Sequence, residues 1–286
     1  MTGYRGSGHS APFVGSDLAE EDFDRIRQLL LARRGFDLGM YKDQCIRRRI
    51  AARIRACGLA RAADYIARLT AQDEEIDALL AAISIHVSQF FRNPQIFARL
   101  EADVLPQLAR QALQRADRTL RLWCAGCAGG EEAYSLALLM DELAPQGLTV
   151  EVLGTDISPQ VLDRARAGEY GLHRLSEVPP EVLERYFDRD GLRYRLCERI
   201  RRQVRFELHN LLDEGPYPAA DLVLCRNVMI YFSRIDQQRI LRRMAAALAP
   251  EGILVLGSAE TIIGEPRQWF EPLFATERIY RCRLSP

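Results

Sequence analysis

Residues 121–135 read Arg-Leu-Trp-Cys-Ala-Gly-Cys-Ala-Gly-Gly-Glu-Glu-Ala-Tyr-Ser. An apolar strand runs into a glycine loop and then directly into two carboxylates. Gly126, Gly129 and Gly130 let the backbone approach a ligand closely, as in loops that hold a pyrophosphate against the amides of a helix N-terminus. Glu131 and Glu132 at that terminus would repel a phosphate. A nucleoside ligand with a cationic end fits instead, and S-adenosylmethionine, with its sulfonium and ammonium, has that character.

The segments around this stretch support a sheet covered by helices. Strand-like runs at 120–125, 149–155, 204–209, 221–225 and 252–258 alternate with helical patterns at 131–143, 159–167 and 236–248, which predicts an α/β domain with a parallel sheet. Asp156 ends the second run in Leu-Gly-Thr-Asp-Ile, about twenty-five to thirty residues after the loop, where an acid accepts ribose hydroxyls. Arg226, Asn227 and Tyr231 follow the buried run 221–225 at the strand edge where open α/β sheets bind ligands. Upstream, apolar residues recur at helical spacing, as in Ile46, Ile50 and Ile54, so 18–113 reads as a small helical domain and 114–286 as the sheet domain. A small hairpin is expected at about 188–206, and residues 1–17 read as a flexible tail without a signal-peptide core.

Composition narrows the function classes. Net charge is zero, so no global field argues for nucleic acid. No apolar run approaches the roughly 20 residues of a membrane span, which places the protein in the cytoplasm. Seven cysteines with one close pair make no disulfide framework. Cys124 and Cys127 resemble a thiol-disulfide pair, but the neighbouring acids oppose a low thiolate pKa. No second Cys or His pair completes a zinc site, so no metal is expected. Two stretches are basic, 42–55 and 193–205, in a chain whose only lysine is Lys42 and whose default cation is arginine.

Taken in order, Phe-Phe-Arg at 90–92, Gly-Glu-Glu-Ala-Tyr-Ser at 130–135, Thr-Asp-Ile at 155–157, Arg-Leu-Ser-Glu at 174–177, Asn-Leu-Leu at 210–212 and Arg-Asn-Val-Met-Ile-Tyr-Phe at 226–232 resemble the motifs of the CheR family of chemotaxis receptor methyltransferases. The resemblance spans about 18–283. It implies a Rossmann-like S-adenosylmethionine-dependent methyltransferase domain with a mostly parallel sheet, preceded by a small all-α domain and carrying a small β-hairpin subdomain. The implied activity is methylation of glutamate carboxylates on methyl-accepting chemoreceptors, with S-adenosylhomocysteine as product. Implied cofactor contacts are His86, Ser88, Arg92, Ala125, Glu131, Asp156, Asn210, Leu211, Arg226 and Asn227, with Arg92 and Tyr231 nearest the transferred methyl. His86 stands where the family usually has Asn, Ser88 where it often has Thr, and Ala128 where Ser is common.

A glutamate acceptor is already ionised at neutral pH, its unperturbed pKa being about 4.3, so no general base is needed. This agrees with the absence of any Ser-His-Asp or Cys-His pattern. Arg92 offers a planar fork to hold that carboxylate. Receptor methylation helices are acidic, and Lys42, Arg49 and Arg53 fall on one side of a helix, so these three are expected to bind the substrate. Some family members dock a peptide at the receptor's C-terminus through their hairpin; here the hairpin is short and lacks a Gly-rich turn, so no such docking is expected, and the enzyme is expected to be a monomer. Two further readings are a methyltransferase of a pilus or surface-sensing array and a catalytically silent, cofactor-binding adaptor.

Overall fold

The computed structural model describes residues 18–34, 38, 43–83 and 88–283. The chain divides into two compact units, Met1–Ile85 and His86–Pro286. Lys42, His86 and the tail 1–17 lie outside the described residues.

The first unit is helical: α1 (Glu20–Arg34), α2 (Asp43–Ala56), α3 (Ala62–Ala71) and α4 (Asp73–Ile83). Ile46, Ile50 and Ile54 form the buried stripe of α2, and Phe23, Ile26, Leu30, Tyr65, Leu69, Ile76 and Leu79 are buried on the other helices of the unit. Each such side chain contributes roughly 1.5–3 kcal/mol on burial. Within this unit Glu75 is buried and accepts hydrogen bonds from Arg53 at 2.8 and 3.0 Å and from the Tyr65 hydroxyl at 2.9 Å. Arg68 also pairs with it at 3.2 Å. Burial alone would push the Glu75 carboxyl up, but these donors outweigh it and hold the group below its ordinary value.

The second unit opens with α5 (Pro94–Arg99), which passes through a π-helical turn at Leu100–Val104 into α6 (Leu105–Leu113). Pro106 lacks an amide and cannot sit in a regular α-helical interior, and the wider turn just before it relieves that conflict. Then follow β1 (Thr119–Ala125), α7 (Glu131–Leu143), β2 (Thr149–Asp156), α8 (Pro159–Ala167), β3 (Glu169–Gly171), α9 (Pro180–Tyr186), β4 (Phe187–Asp190), β5 (Arg193–Leu196), α10 (Glu198–Arg201), β6 (Val204–Leu208), β7 (Ala220–Cys225), α11 (Arg234–Ala247), β8 (Leu248–Leu256), β9 (Phe270–Phe274) and β10 (Ile279–Cys282).

Among the described residues the larger sheet has the order β6-β2-β1-β7-β8-β10-β9. Strands β6, β2, β1, β7 and β8 pair in parallel, while β10 runs antiparallel between β8 and β9. The register Ala125↔Thr155 brings the ends of β1 and β2 level, so their following loops open on one edge. The chain reverses order from β1–β2 to β7, which creates the crevice where α/β sheets take ligands.

Two boundaries differ from the sequence reading. The helices at 94–113 belong to the sheet unit, because Phe90, Phe97, Leu100, Leu105 and Leu108 share one core with Leu120, Leu122 and Leu136. The small sheet is β3-β5-β4, while 204–208 joins the edge of the main sheet instead of the hairpin. The basic stretch 193–205 is largely neutralised: Arg193 pairs with Glu169 at 3.5 Å, Arg205 with Glu207 at 2.7 Å, Arg199 with Asp141 and Arg202 with Glu198. Among the described residues no helix is long and apolar enough to cross a membrane.

Candidate active site

The glycine loop between β1 and α7 is stitched to the end of β2. The amides of Gly126 and Cys127 donate to the Thr155 carbonyl at 2.8 and 2.9 Å, and the Ala128 amide donates to Asp156 Oδ2 at 2.9 Å. Asp156 Oδ1 accepts the Ser158 amide at 3.0 Å, so the buried carboxylate fixes both loops. Gly126 has φ +72°, and a Cβ there would meet Val228 Cγ2 at 2.4 Å. Only glycine lets the loop after β1 lie against the loop after β7. Ala125 closes β1 fully buried beneath it.

Over the start of α7 runs the segment 88–93. The Phe91 amide donates to Ser135 Oγ at 2.9 Å, Ser135 Oγ donates to the Glu131 carbonyl at 2.7 Å, and the Phe90 amide donates to the Arg174 carbonyl at 3.0 Å. The Arg174 guanidinium donates to the Ser88 carbonyl and lies 3.3 Å from the buried Glu131 carboxylate. The Phe90 ring packs edge-on against Tyr170 and Phe187, with centroids at 4.8 and 5.3 Å. Phe91 and Asn93 both have positive φ, 50° and 59°, which non-glycine residues adopt at a cost and hold only when their surroundings enforce it.

Arg226 supplies that enforcement. Its side chain is fully buried and donates to the Arg92 carbonyl at 2.9 Å, to Asn93 Oδ1 and to the Glu132 carboxylate. Burial pushes the Glu132 carboxyl up, against the opposing pull of Arg226 and Arg92. Arg226 was expected to line the cofactor. Its two terminal nitrogens donate to internal acceptors and hold Arg92 and Asn93 in place, while its buried Nε has no hydrogen-bond partner.

Asn210 and Leu211 follow β6 on the same edge. Asn210 Oδ1 accepts the Leu212 amide at 3.0 Å and its Nδ2 donates to Asp213 at 3.0 Å, an Asx-type turn that occupies the side chain and presents the backbone. The Leu211 carbonyl accepts from Arg243 at 3.0 Å and from the Tyr217 hydroxyl. Arg243 also stacks on Tyr217 at 3.9 Å, and Tyr217 packs on Trp123 beneath the loop. Asn227 has φ +59° and opens the turn that carries Tyr231, half-buried at its end.

Ser88 Oγ is buried and has no hydrogen-bond partner, an orphan polar atom on a residue whose carbonyl shares Arg174 with Glu131. The donors and acceptors gathered here, a hydroxyl, two carboxylates and a tight glycine backbone, fit an adenosine ligand with a cationic amino-acid end. Cys124 and Cys127 are buried, and burial pushes both thiols well above their ordinary value, so they act as packing groups. The sequence assigned Glu132 only a repulsion of phosphate, and no role to Arg174, Tyr217, Arg243 or Glu260. Glu132 and Arg174 stood inside quoted motifs, whereas Tyr217, Arg243 and Glu260 are set by tertiary contacts alone.

In the helical unit, the predicted basic face is rearranged. Arg53 is held by Glu75, and Arg49 donates to the Ile83 carbonyl at the end of α4. The exposed arginines of α2 are Arg48 and Arg55, one on either side of the exposed Ala52. The expectation for Arg53 is therefore corrected: its side chain braces the unit from within.

Known proteins match along nearly the whole chain. Residues 86–279 match the CheR methyltransferase, SAM binding domain, and residues 21–84 match the CheR methyltransferase, all-alpha domain.

The chain belongs to the CheR methyltransferase family.

The sheet unit is accordingly a methyltransferase domain that binds S-adenosylmethionine. Chemotaxis protein methyltransferase 2 of Pseudomonas aeruginosa is 36% identical over 250 residues, covering 85% of this chain and 87% of that protein. The chemotaxis protein methyltransferase of Salmonella typhimurium is 35% identical over 265 residues, 88% of either chain. An uncharacterized 104.1 kDa protein of Rhodobacter capsulatus is 37% identical over 245 residues, of which this chain spans 25%.

Proposed function

We propose that this CheR methyltransferase esterifies glutamate side chains on the cytoplasmic methylation helices of chemoreceptors, acting as a monomer without docking to a receptor C-terminal peptide. The observation that supports the reading is the brace of Arg226 on the Arg92 carbonyl and Asn93 Oδ1, which holds the segment carrying Arg92 next to Glu132 at the start of α7. Arg92 and Tyr231 are the residues we assign to the reacting centre, and Ser88, Glu131, Asp156, Asn227 and the backbone of Asn210 and Leu211 those we assign to the cofactor. His86 is kept in that set by family resemblance alone.

When bound, S-adenosylmethionine would supply an electrophilic methyl group for the carboxylate, with S-adenosylhomocysteine as the leaving product. Arg92 holds the incoming carboxylate ionised with a planar fork, which opposes the rise in pKa that burial near Glu131 and Asp156 would cause. Tyr231 offers a hydroxyl to the same group or an aromatic face to positive charge. Catalysis by these residues is alignment at about 3–3.5 Å, without proton transfer. On the helical unit, Arg48 and Arg55 are the exposed charges suited to an acidic helix, with Lys42 and Arg49 beside them in sequence.

The test is calorimetric titration with S-adenosylhomocysteine, with NAD as control. Binding of the first alone supports the cofactor assignment on which the reading rests; binding of neither contradicts it.

A further inference from the structure

We propose that Glu260 is a positioning residue for methyl transfer, holding the turn Arg226–Tyr231 against the end of β8 so that Tyr231 is presented at the reacting centre. The proposal rests on the reading of Tyr231 given above. Glu260 lies beyond β8, in a turn closed by its own amide on the Gly257 carbonyl at 2.9 Å. Its side chain is buried, and three backbone amides converge on it. Asn227 donates to Oε2 at 2.9 Å, Gly257 to Oε2 at 2.6 Å and Met229 to Oε1 at 2.7 Å.

The two turns lie backbone to backbone. A Cβ on Gly257 would meet the Asn227 nitrogen at 2.8 Å and Glu260 Oε2 at 2.8 Å. Among the described residues no arginine pairs with Glu260, so its charge is balanced by amide dipoles of the turn itself. On the other side Gln237 donates to the Met229 carbonyl at 2.7 Å and the Phe232 carbonyl at 3.1 Å. The amides of the turn are thus gathered by Glu260 and its carbonyls by Gln237. Strand β7 needs no such clamp, being paired with β1 and β8 along its length. What the clamp fixes is the segment beyond the strand, where Asn227 holds φ +59° and Tyr231 stands at the ligand edge. Burial pushes the Glu260 carboxyl up against the pull of these amides, so a neutral or shortened side chain here alters a finely balanced anchor.

The experiment is a kinetic cycle on the full chain with Glu260→Gln, Tyr231→Ala and the double variant, using membranes bearing chemoreceptors as acceptor. A glutamine presents one oxygen to three converging amides and sets its own NH₂ against the remainder. The expected result is a kcat lower by about 10- to 100-fold, as for a small misplacement of a reacting group. The Kd for S-adenosylhomocysteine stays within about threefold, and the double variant is no slower than the slower single one. Glu260→Asp, which keeps the charge and retracts it by one methylene, gives a smaller loss of the same kind and serves if the glutamine variant does not fold. Losses that multiply in the double variant, an unchanged kcat, or parallel losses of kcat, cofactor affinity and Tm would overturn the proposal. Tyr231→Ala leaving kcat unchanged would overturn the reading of Tyr231 itself, and the proposal with it.

Discussion

Removing the Arg226 guanidinium separates two roles that one side chain performs. Arg226 is the buried partner of the buried Glu132 and the donor to Arg92 and Asn93. Arg226→Met leaves the buried Glu132 carboxylate without its hydrogen-bonded counter-charge, which costs about 3–5 kcal/mol. For a unit of this size, about 2–4 °C per kcal/mol makes that a fall in Tm of roughly 10 °C. Pairing it with Glu132→Met removes both charges and replaces them with apolar groups of similar length, an exchange that is often neutral in free energy. The double variant should regain most of the lost stability in a urea titration. It should not regain methyl transfer, because the Arg92 carbonyl and Asn93 Oδ1 still lack their donor and the strained φ values at Phe91 and Asn93 are unsupported. Recovery of kcat together with stability would refute the reasoning and reduce Arg226 to a stabilising residue. A single-variant cost below about 1 kcal/mol would refute the burial argument.

Other outcomes follow from the same contacts. Arg92→Ala should lose most methyl transfer while keeping most of its affinity for S-adenosylhomocysteine in calorimetry; equal losses would place Arg92 on the cofactor instead of the acceptor. Because Glu75 is held below its ordinary value in the folded state, its pairing stabilises the protein above the unfolded pKa of about 4.3 and is lost as pH falls through the folded value. Glu75→Gln should therefore flatten the acid limb of the stability curve measured by circular dichroism, and Arg53→Ala should cost about 2 kcal/mol at neutral pH through loss of two charge-assisted hydrogen bonds. Charge reversal at the exposed Arg48 and Arg55 should raise KM for receptor without changing cofactor affinity; unchanged receptor kinetics would make that face merely solvated.

Much of the fold could be read from local pattern because the parallel strands are buried runs bounded by turn residues. The predicted helix 131–143 is α7 to the residue, and the predicted strands 149–155 and 221–225 differ from β2 and β7 by one residue each. The sequence reading missed β9 and β10, which are short antiparallel edge strands, one of them carrying Pro272. It also assigned 94–113 to the helical domain, since helical periodicity says that a face is buried but not against what. The site followed the same rule. The places of Asp156 at a strand end and Glu131 at a helix start could be read because both positions have local signals. Arg226 and Arg53 read as ligand groups from place and helical side, and Asn210 from the family resemblance; only tertiary contacts reveal the internal partners of their side chains. Glu260, a lone acid after a strand, carried no signal until the amides of a distant turn were seen to converge on it.

The most direct test of the account is to incubate the full chain with S-adenosylmethionine carrying a labelled methyl group and membranes bearing chemoreceptors, and to map the label by peptide mass spectrometry. The account predicts base-labile methyl esters on glutamates of the methylation helices, absent with Arg92→Ala. Label on any other residue type, or none from a protein that binds S-adenosylhomocysteine, would contradict it.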